Sequence, residues 1–210
     1  LYSTITDYLG FEINEGEFKV MSLSSFGKPI YENELKKIFD VNNFAINMDY
    51  FEFHKDPSKS FSKKLCEVFG EPYLNISEKV NFNKYANIAS SAQLILENTM
   101  KKLIQKAIDI SGKSKIVLTG GVALNCKMIH NLSKQDIFEE MIVPPSPGDS
   151  GSAIGAANFA FLEKSKTKTL DLNSIFLGPK KNFINKKGSK DNFFLKINLT
   201  NDFASEDAFK

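Results

Sequence analysis

Cysteine is nearly absent from this 210-residue chain: Cys66 and Cys126 are the two it has. They form no CxxC pair and exclude a disulfide framework, which points to a reducing compartment and a cytoplasmic protein. Histidine is as scarce. His54 and His130 lie far apart, outside any HxxxH or HExxH spacing, and read as surface or core residues rather than as metal ligands. Neither cysteine has a nearby histidine in sequence that would make it a thiolate nucleophile. No apolar run approaches the roughly 20 residues that span a bilayer, and no basic-then-apolar leader precedes position 30, so no membrane partner is expected. Excess charge is missing too. The 27 Lys and Arg against 25 Asp and Glu leave +2, which is no broad footprint for nucleic acid.

What is present is the composition of an ordinary folded protein, 42% hydrophobic and 25% charged, long enough to bury a substantial core. The chain opens at Leu1 directly on a patterned segment, LYSTITDYLGFEI, and ends partway through another unit. The expectation is a piece of something longer.

Three zones differ in texture. Residues 1 to about 30 are punctuated by glycine and end in SFGKP. Residues 31–80 mix Phe, Asn and Lys; NELKKIFD reads as a short helix, INMDYFEFH as a strand, and the zone as an insertion or peripheral layer. From Lys84 to Glu163 the pattern sharpens. Ile88, Ala92, Leu96, Leu103, Ala107 and Ile110 keep helical spacing, which predicts an amphipathic helix over about 82–110, ended by Ser111-Gly112. KIVLTGG then reads as a buried strand entering a tight turn, VALNCKMIHNLSK as a helix, EEMIVPP as a second strand, and GDSGSAIGAANFAFLEK as a helix of small residues. Alternating strands and helices predict an α/β layer with ligands at the carboxyl ends of the strands. After Lys164 come the polar linker KSKTKTLDLN, a brief apolar return in SIFLGP, and a loop-like tail with one strand and the start of a helix.

Three groups of residues could carry chemistry. Gly120 and Gly121 close the first strand; paired glycines admit backbone shapes and ligand approach that a side chain would block, and a following helix start offers N–H groups to an anion. The alternative is a tight turn with no ligand. Asn125, one turn on, could bind a ribose or cap the helix. In PPSPGDSG, residues 144–151, three prolines stiffen the loop and Asp149 could cap the next helix or ligate a hard metal. Both loops follow successive strands and should open on one edge of the sheet. Finally, Glu17 and Lys19 in GEFK, ahead of Ser24-Ser25-Phe26-Gly27, could orient a sugar hydroxyl and a phosphate, or be an exposed charge pair on a turn.

The blocks LYSTITDYLGFEINEGEFKVMSLSSFGKP, YANIASSAQLILENTM, LTGGVALNCKMIHNL, IFEEMIVPPSPGDSGSAIGAA and FLGP, in that order, resemble the O-carbamoyltransferases of the nodulation-protein and antibiotic-tailoring type. More distantly they resemble the enzyme that makes threonylcarbamoyladenosine in tRNA. The resemblance implies an actin-like, sugar-kinase-like ATPase lobe of ribonuclease H-like type, a mixed sheet flanked by helices. Residues 1–164 would be the C-terminal part of the carbamoyl-transfer domain, and 165–210 a linker and the start of an adenylate-forming domain. The missing upstream half-domain and downstream domain would complete it. It further implies carbamoyl phosphate and ATP as substrates, a carbamoyl-adenylate intermediate, a divalent metal that is typically iron, and a hydroxyl acceptor on a sugar-like molecule. Exchanging phosphate for adenylate gives the poorly electrophilic carbamoyl carbon a better leaving group, and a metal stabilises developing oxygen charge.

Carried over by that resemblance, Gly120, Gly121 and Asn125 fall on an adenosine-binding block, joined by Glu17 and Gly27. Asp149 falls on a metal-ligating aspartate, and Lys19 is a phosphate contact by position. The family's histidine ligands belong upstream of Leu1. Where the family reads KVMGLAPYG this chain reads KVMSLSSFG: Ser25 loosens a loop that proline would fix, and Phe26 lacks a tyrosine's hydroxyl. The alternatives are an actin-like nucleotide-binding module without transfer activity, or a kinase of the same fold group, although such kinases do not usually carry VPP..GD.G.

Overall fold

The computed structural model describes residues 1–73 and 81–165. The expected linker and tail, with FLGP, lie outside the described residues from 166 onward. In chain order the elements are α1 (Tyr2–Tyr8), α2 (Glu17–Leu23) running into a 3-10 turn (Ser24–Phe26), α3 (Glu32–Ile38), β1 (Phe39–Asp40), β2 (Ala45–Ile46), a 3-10 turn (Met48–Tyr50), α4 (Lys63–Phe69), α5 (Phe82–Ser111), β3 (Lys115–Val117), a 3-10 turn (Gly121–Leu124), α6 (Cys126–Ser133), β4 (Glu140–Ile142) and α7 (Gly151–Ser165). The fold is mixed α/β, helices with two small sheets. β1 and β2 pair antiparallel, Phe39 opposite Ile46, and β3 and β4 pair parallel, Ile116 opposite Met141.

α5 is the spine. At 1.5 Å per residue its 30 residues run about 45 Å. Its N-cap is Asn81, whose side chain accepts the Lys84 N–H at 3.2 Å. Gly112 ends it in the left-handed conformation at φ 64° and donates to Ile108 O, as the Ser-Gly signal predicts. Its first half buries Tyr85, Ile88, Ala89, Ala92 and Ile95 in a core shared with Ile5, Tyr8 and Leu9 of the α1 region and with Val20 of α2. Its second half buries Met100 and Ile104 against Met128 and Leu132 of α6, with Ile116 and Met141 packed from the strands. Here the predicted face needs correction. Leu103 and Ile110 lie outward, Ile110 77% exposed, because α6 and the strands meet the 100/104/108 stripe instead.

Residues 31–73, read from sequence as peripheral, supply Leu35, Ile38, Val41, Tyr50, Phe51, Leu65 and Phe69 to the first core and so belong to its packing. INMDYFEFH is also not one strand. Asn47 turns its side chain back to accept the Asp49 N–H, which favours the 3-10 turn over an extended path, and Phe51 keeps only an isolated bridge to Phe61.

The parallel register of β3 and β4 sends both chains out of the same edge. The expectation of buried strands fails on one face: Ile116 and Met141 point to the second core, whereas Val117 is 66% and Ile142 50% exposed. α7 carries Phe159 and Phe161 exposed as well. Among the described residues no helix is long and apolar enough to cross a membrane.

Candidate functional site

Two turns leave the β3–β4 edge and touch. The Gly120 N–H donates to Pro147 O at 2.7 Å, joining the paired-glycine turn to the proline-rich loop. Gly120 holds φ +97°, a region that side chains avoid, and a Cβ placed on either Gly120 or Gly121 would meet nothing within 4 Å. Glycine therefore serves backbone shape at Gly120, while open space adjoins both residues. In the facing loop Gly151 is needed for closeness: a Cβ there would sit 2.2 Å from Ser146 O.

These turns form one wall of a cleft of about 630 Å³, and α1 and α2 form the other. Among its lining residues are Tyr2, Glu17, Phe18, Gly121, Asn125 and Asp149. Gly121, Asn125 and Asp149 thus meet as the shared sheet edge predicts, and Glu17 of α2 joins them from outside that edge. Glu17 also accepts the Asn14 N–H at 3.0 Å, which braces a turn in which Asn14 holds φ 69°. Asp149 is exposed, and among the described residues its carboxylate makes no hydrogen bond or ion pair. The helix-capping alternative for its side chain has no hydrogen bond to support it, since Ser152 N–H bonds the Asp149 backbone carbonyl instead.

Lys19, Gly27 and Gly120 are not among the residues that line this cleft. The Lys19 ammonium lies 5.7 Å from the Phe11 ring centroid and 5.8 Å from that of Phe18. Gly27 is pressed against α5, where a Cβ would fall 2.0 Å from Ala86 O. Ser24 and Ser25 both receive the Lys127 ammonium, Ser24 at 2.9 Å, so α6 braces the 3-10 turn that Ser25 was expected to loosen.

Asn125 sits in the most developed polar cluster. Its Oδ1 caps α6 by accepting the Met128 N–H at 2.9 Å, and its amide exchanges two bonds of 3.0 Å with Gln93. Gln93, only 1% exposed, also accepts from the Tyr2 hydroxyl at 2.9 Å and donates to Glu97 at 2.8 Å. The other Glu97 oxygen accepts from Asn131 Nδ2 at 2.8 Å. Burial pushes the Tyr2 phenol far above its usual range, with Glu97 and Glu17 adding to the rise against the opposing Asn125 amide. Gln93 carries no motif; its one sequence signal is a polar residue on the apolar face of α5, beside Ala89 and Ala92.

Three carboxylates, Glu15, Glu17 and Asp149, line the cleft and no Lys or Arg does. An anionic ligand would need a cation beside it. Among the described residues no three His, Cys, Asp or Glu side chains gather to hold a metal. Asp149 is therefore a lone candidate ligand, with no second metal-binding side chain gathered into a set beside it among the described residues.

A second cleft of about 650 Å³ lies between Asp7, Phe61, Cys66 and Glu71 and contains none of the candidate residues. Burial, with Glu71 adding, raises the Cys66 thiol above its usual pKa, which makes it a poor nucleophile. The first cleft is the candidate site, since separate elements bring Glu17, Gly121, Asn125 and Asp149 to it.

Known sequences resemble the stretch that contains these residues. The family model described as Carbamoyltransferase N-terminus matches residues 1–158. An uncharacterized protein of Synechocystis sp. is 34% identical over 161 residues, covering 75% of this chain and 26% of its own length. Nodulation protein NolNO of Sinorhizobium fredii is 27% identical over 85% of this chain and 25% of its own. Nodulation protein U of Rhizobium tropici is 31% identical over 54% of this chain and 19% of its own. The chain thus spans about a quarter of the length of the first of these relatives.

Proposed function

The chain belongs to the carbamoyltransferase family, and on that premise we propose that, within a longer polypeptide, it forms the ligand-facing lobe of an enzyme that moves a carbamoyl group from carbamoyl-adenylate to a hydroxyl of a sugar-like acceptor. Carbamoyl phosphate and ATP supply the adenylate. The observation that carries this reading is the convergence of Glu17, Gly121, Asn125 and Asp149 on one cleft from blocks far apart in sequence. The open space beside Gly120 and Gly121 suits the flat face of a nucleoside base. Asn125 offers an amide to it, and Glu17 stands across the cleft for a ribose hydroxyl. In this reading the lobe has the actin-like fold that its motif order resembles.

The carboxylate lining has a consequence for the chemistry. A bound metal would offset the adenylate charge and stabilise oxygen charge during transfer, and Asp149 is the residue of this chain that would hold it. Residues outside this chain must complete that ligand set. What the chain's own residues do is bind and orient: the joined turns fix the nucleotide wall, and α1 and α2 exclude water from the other side.

A second reading, a nucleotide-binding lobe with no transfer, is favoured by the single metal-ligating carboxylate. The whole-length protein, loaded with iron and given carbamoyl phosphate and ATP, should form AMP and a carbamoylated hydroxyl compound. Tight nucleotide binding with no carbamoyl-adenylate formed or consumed would leave the second reading standing. Phosphate transfer to a sugar would assign a kinase instead.

A further inference from the structure

Asn125 has two faces, a carbonyl oxygen and an amide nitrogen, and a ligand in the cleft meets one of them. We infer that Gln93 is a positioning residue that locks the Asn125 carboxamide in one orientation, so that the cleft presents an N–H donor to its ligand and not a carbonyl acceptor. The inference rests on reading this cleft as the nucleotide site, and names the polarity of ligand atom that Asn125 selects.

The orientation is fixed from Glu97 outward. A carboxylate only accepts hydrogen bonds. Glu97 Oε2 is held by Asn131 Nδ2, and Oε1 therefore requires a donor from Gln93, which turns Nε2 toward it at 2.8 Å. Gln93 Oε1 then faces the Tyr2 hydroxyl, which donates at 2.9 Å, and Asn125 Nδ2 at 3.0 Å. Both polar atoms of Gln93 thus make two bonds each, and at 1% exposure no water competes. Flipping Asn125 would set oxygen against Gln93 Oε1 and nitrogen against two donors, Gln93 Nε2 and the Met128 N–H. Each mismatched contact replaces a bond with repulsion, so the flipped state is disfavoured several times over. Oδ1 is consumed by two bonds inside the lobe. Nδ2 bonds Gln93 and also faces the Tyr2 phenol oxygen, itself a cleft residue, so a ligand acceptor competes with that oxygen for the second hydrogen. The atom it selects is an acceptor: a ring nitrogen, a carbonyl oxygen or a phosphate oxygen.

The test uses the isotope-labelled 210-residue chain and AMP as the probe. Side-chain NMR should resolve two Asn125 amide protons, one slow to exchange because Gln93 holds it and one fast, with the fast proton moving on addition of AMP. Gln93→Leu removes both the donors and the acceptor that hold the Asn125 amide. It should abolish the exchange asymmetry and weaken AMP about tenfold, the worth of one ligand hydrogen bond. Should that variant not fold, the isosteric Glu97→Gln removes the acceptor-only anchor and should lose the same asymmetry. Equal exchange of the two protons in the wild-type chain, or an asymmetry that survives both substitutions, overturns the inference. An asymmetry that depends on Gln93 while AMP moves nothing upholds the positioning and overturns the nucleotide reading of the cleft.

Discussion

Replacing Gly27 by alanine separates a packing role from a ligand role. The backbone there is extended, φ −110° and ψ 174°, so alanine meets no conformational penalty of its own. The obstacle is space. The added Cβ would lie 2.0 Å from Ala86 O, 2.2 Å from Ala86 C and 2.6 Å from Asn87 N, all backbone of α5, which cannot swing aside as a side chain would. Reaching ordinary contact means a retreat of about 1.4 Å. That retreat stretches the Lys28 N–H bond to Asn87 Oδ1, now 2.7 Å, and the Tyr31 N–H bond to Ser91 Oγ, now 3.0 Å. Overpacking costs about 1–3 kcal/mol, and each strained hydrogen bond adds about 0.5–1.5 kcal/mol. The expected destabilisation is about 2–6 kcal/mol, a large part of a typical domain's stability. Urea unfolding of the 210-residue chain followed by circular dichroism should show a midpoint lower by about 1–2 M at an unchanged slope. A change below about 1 kcal/mol accompanied by lost AMP affinity would refute the packing account and return Gly27 to the ligand site.

Asn125→Ala removes the α6 cap, worth about 1 kcal/mol, and strands the buried Gln93 amide at about 1–3 kcal/mol, so the same unfolding experiment should register a loss near 2–4 kcal/mol. Asp149→Ala should leave stability within about 0.5 kcal/mol, because its exposed carboxylate has no partner among the described residues, while carbamoyl transfer by the whole-length protein disappears; retained transfer would remove Asp149 from the site. Lys19→Ala should change stability by less than about 1 kcal/mol and leave AMP affinity intact, and a tenfold weaker affinity would restore its phosphate contact. Burial raises the phenols of Tyr2, Tyr8 and Tyr85 above their unfolded values. The folded state then holds protons that the unfolded state releases, so stability is full below about pH 10 and declines as pH rises beyond it. Unfolding measured across alkaline pH should show that decline, and Tyr2→Phe should make it shallower.

How much of this lay in the sequence depends on the range of the signal. α5 was legible because its apolar spacing, with Gly112 behind it, is local, and the two loops were legible because parallel strands force neighbouring exits. Which stripe of α5 is buried beyond residue 100 was not legible, since α6 decides it and Leu103 is as apolar as Ile104. The cleft was half readable: Glu17, Gly121, Asn125 and Asp149 sit in recognisable blocks. Gln93, Tyr2 and Glu97 lie in such blocks too, but nothing local marks them, because their role comes from a network closed by Asn125, 32 residues from Gln93 along the chain. Gly27 shows the opposite limit, where a conspicuous glycine marks close helix contact outside the cleft.

The length of α5 has a dynamic consequence. Among the described residues the core on its first half holds sixteen buried residues and that on its second half four, the helix's own included, so two cores of unequal depth share one rod. Amide exchange should be slowest near Ile88–Ala92 and should quicken through α6, β3 and β4, which would open first as the shallower unit. The cleft lies on the seam between the two, with Tyr2 on the deep side and Gly121 on the shallow side. Because Gly120 is bonded to Pro147, both loops travel with the shallow unit when it opens. A ligand bridging the seam would slow that opening, and would be felt in the exchange of strands that it never touches.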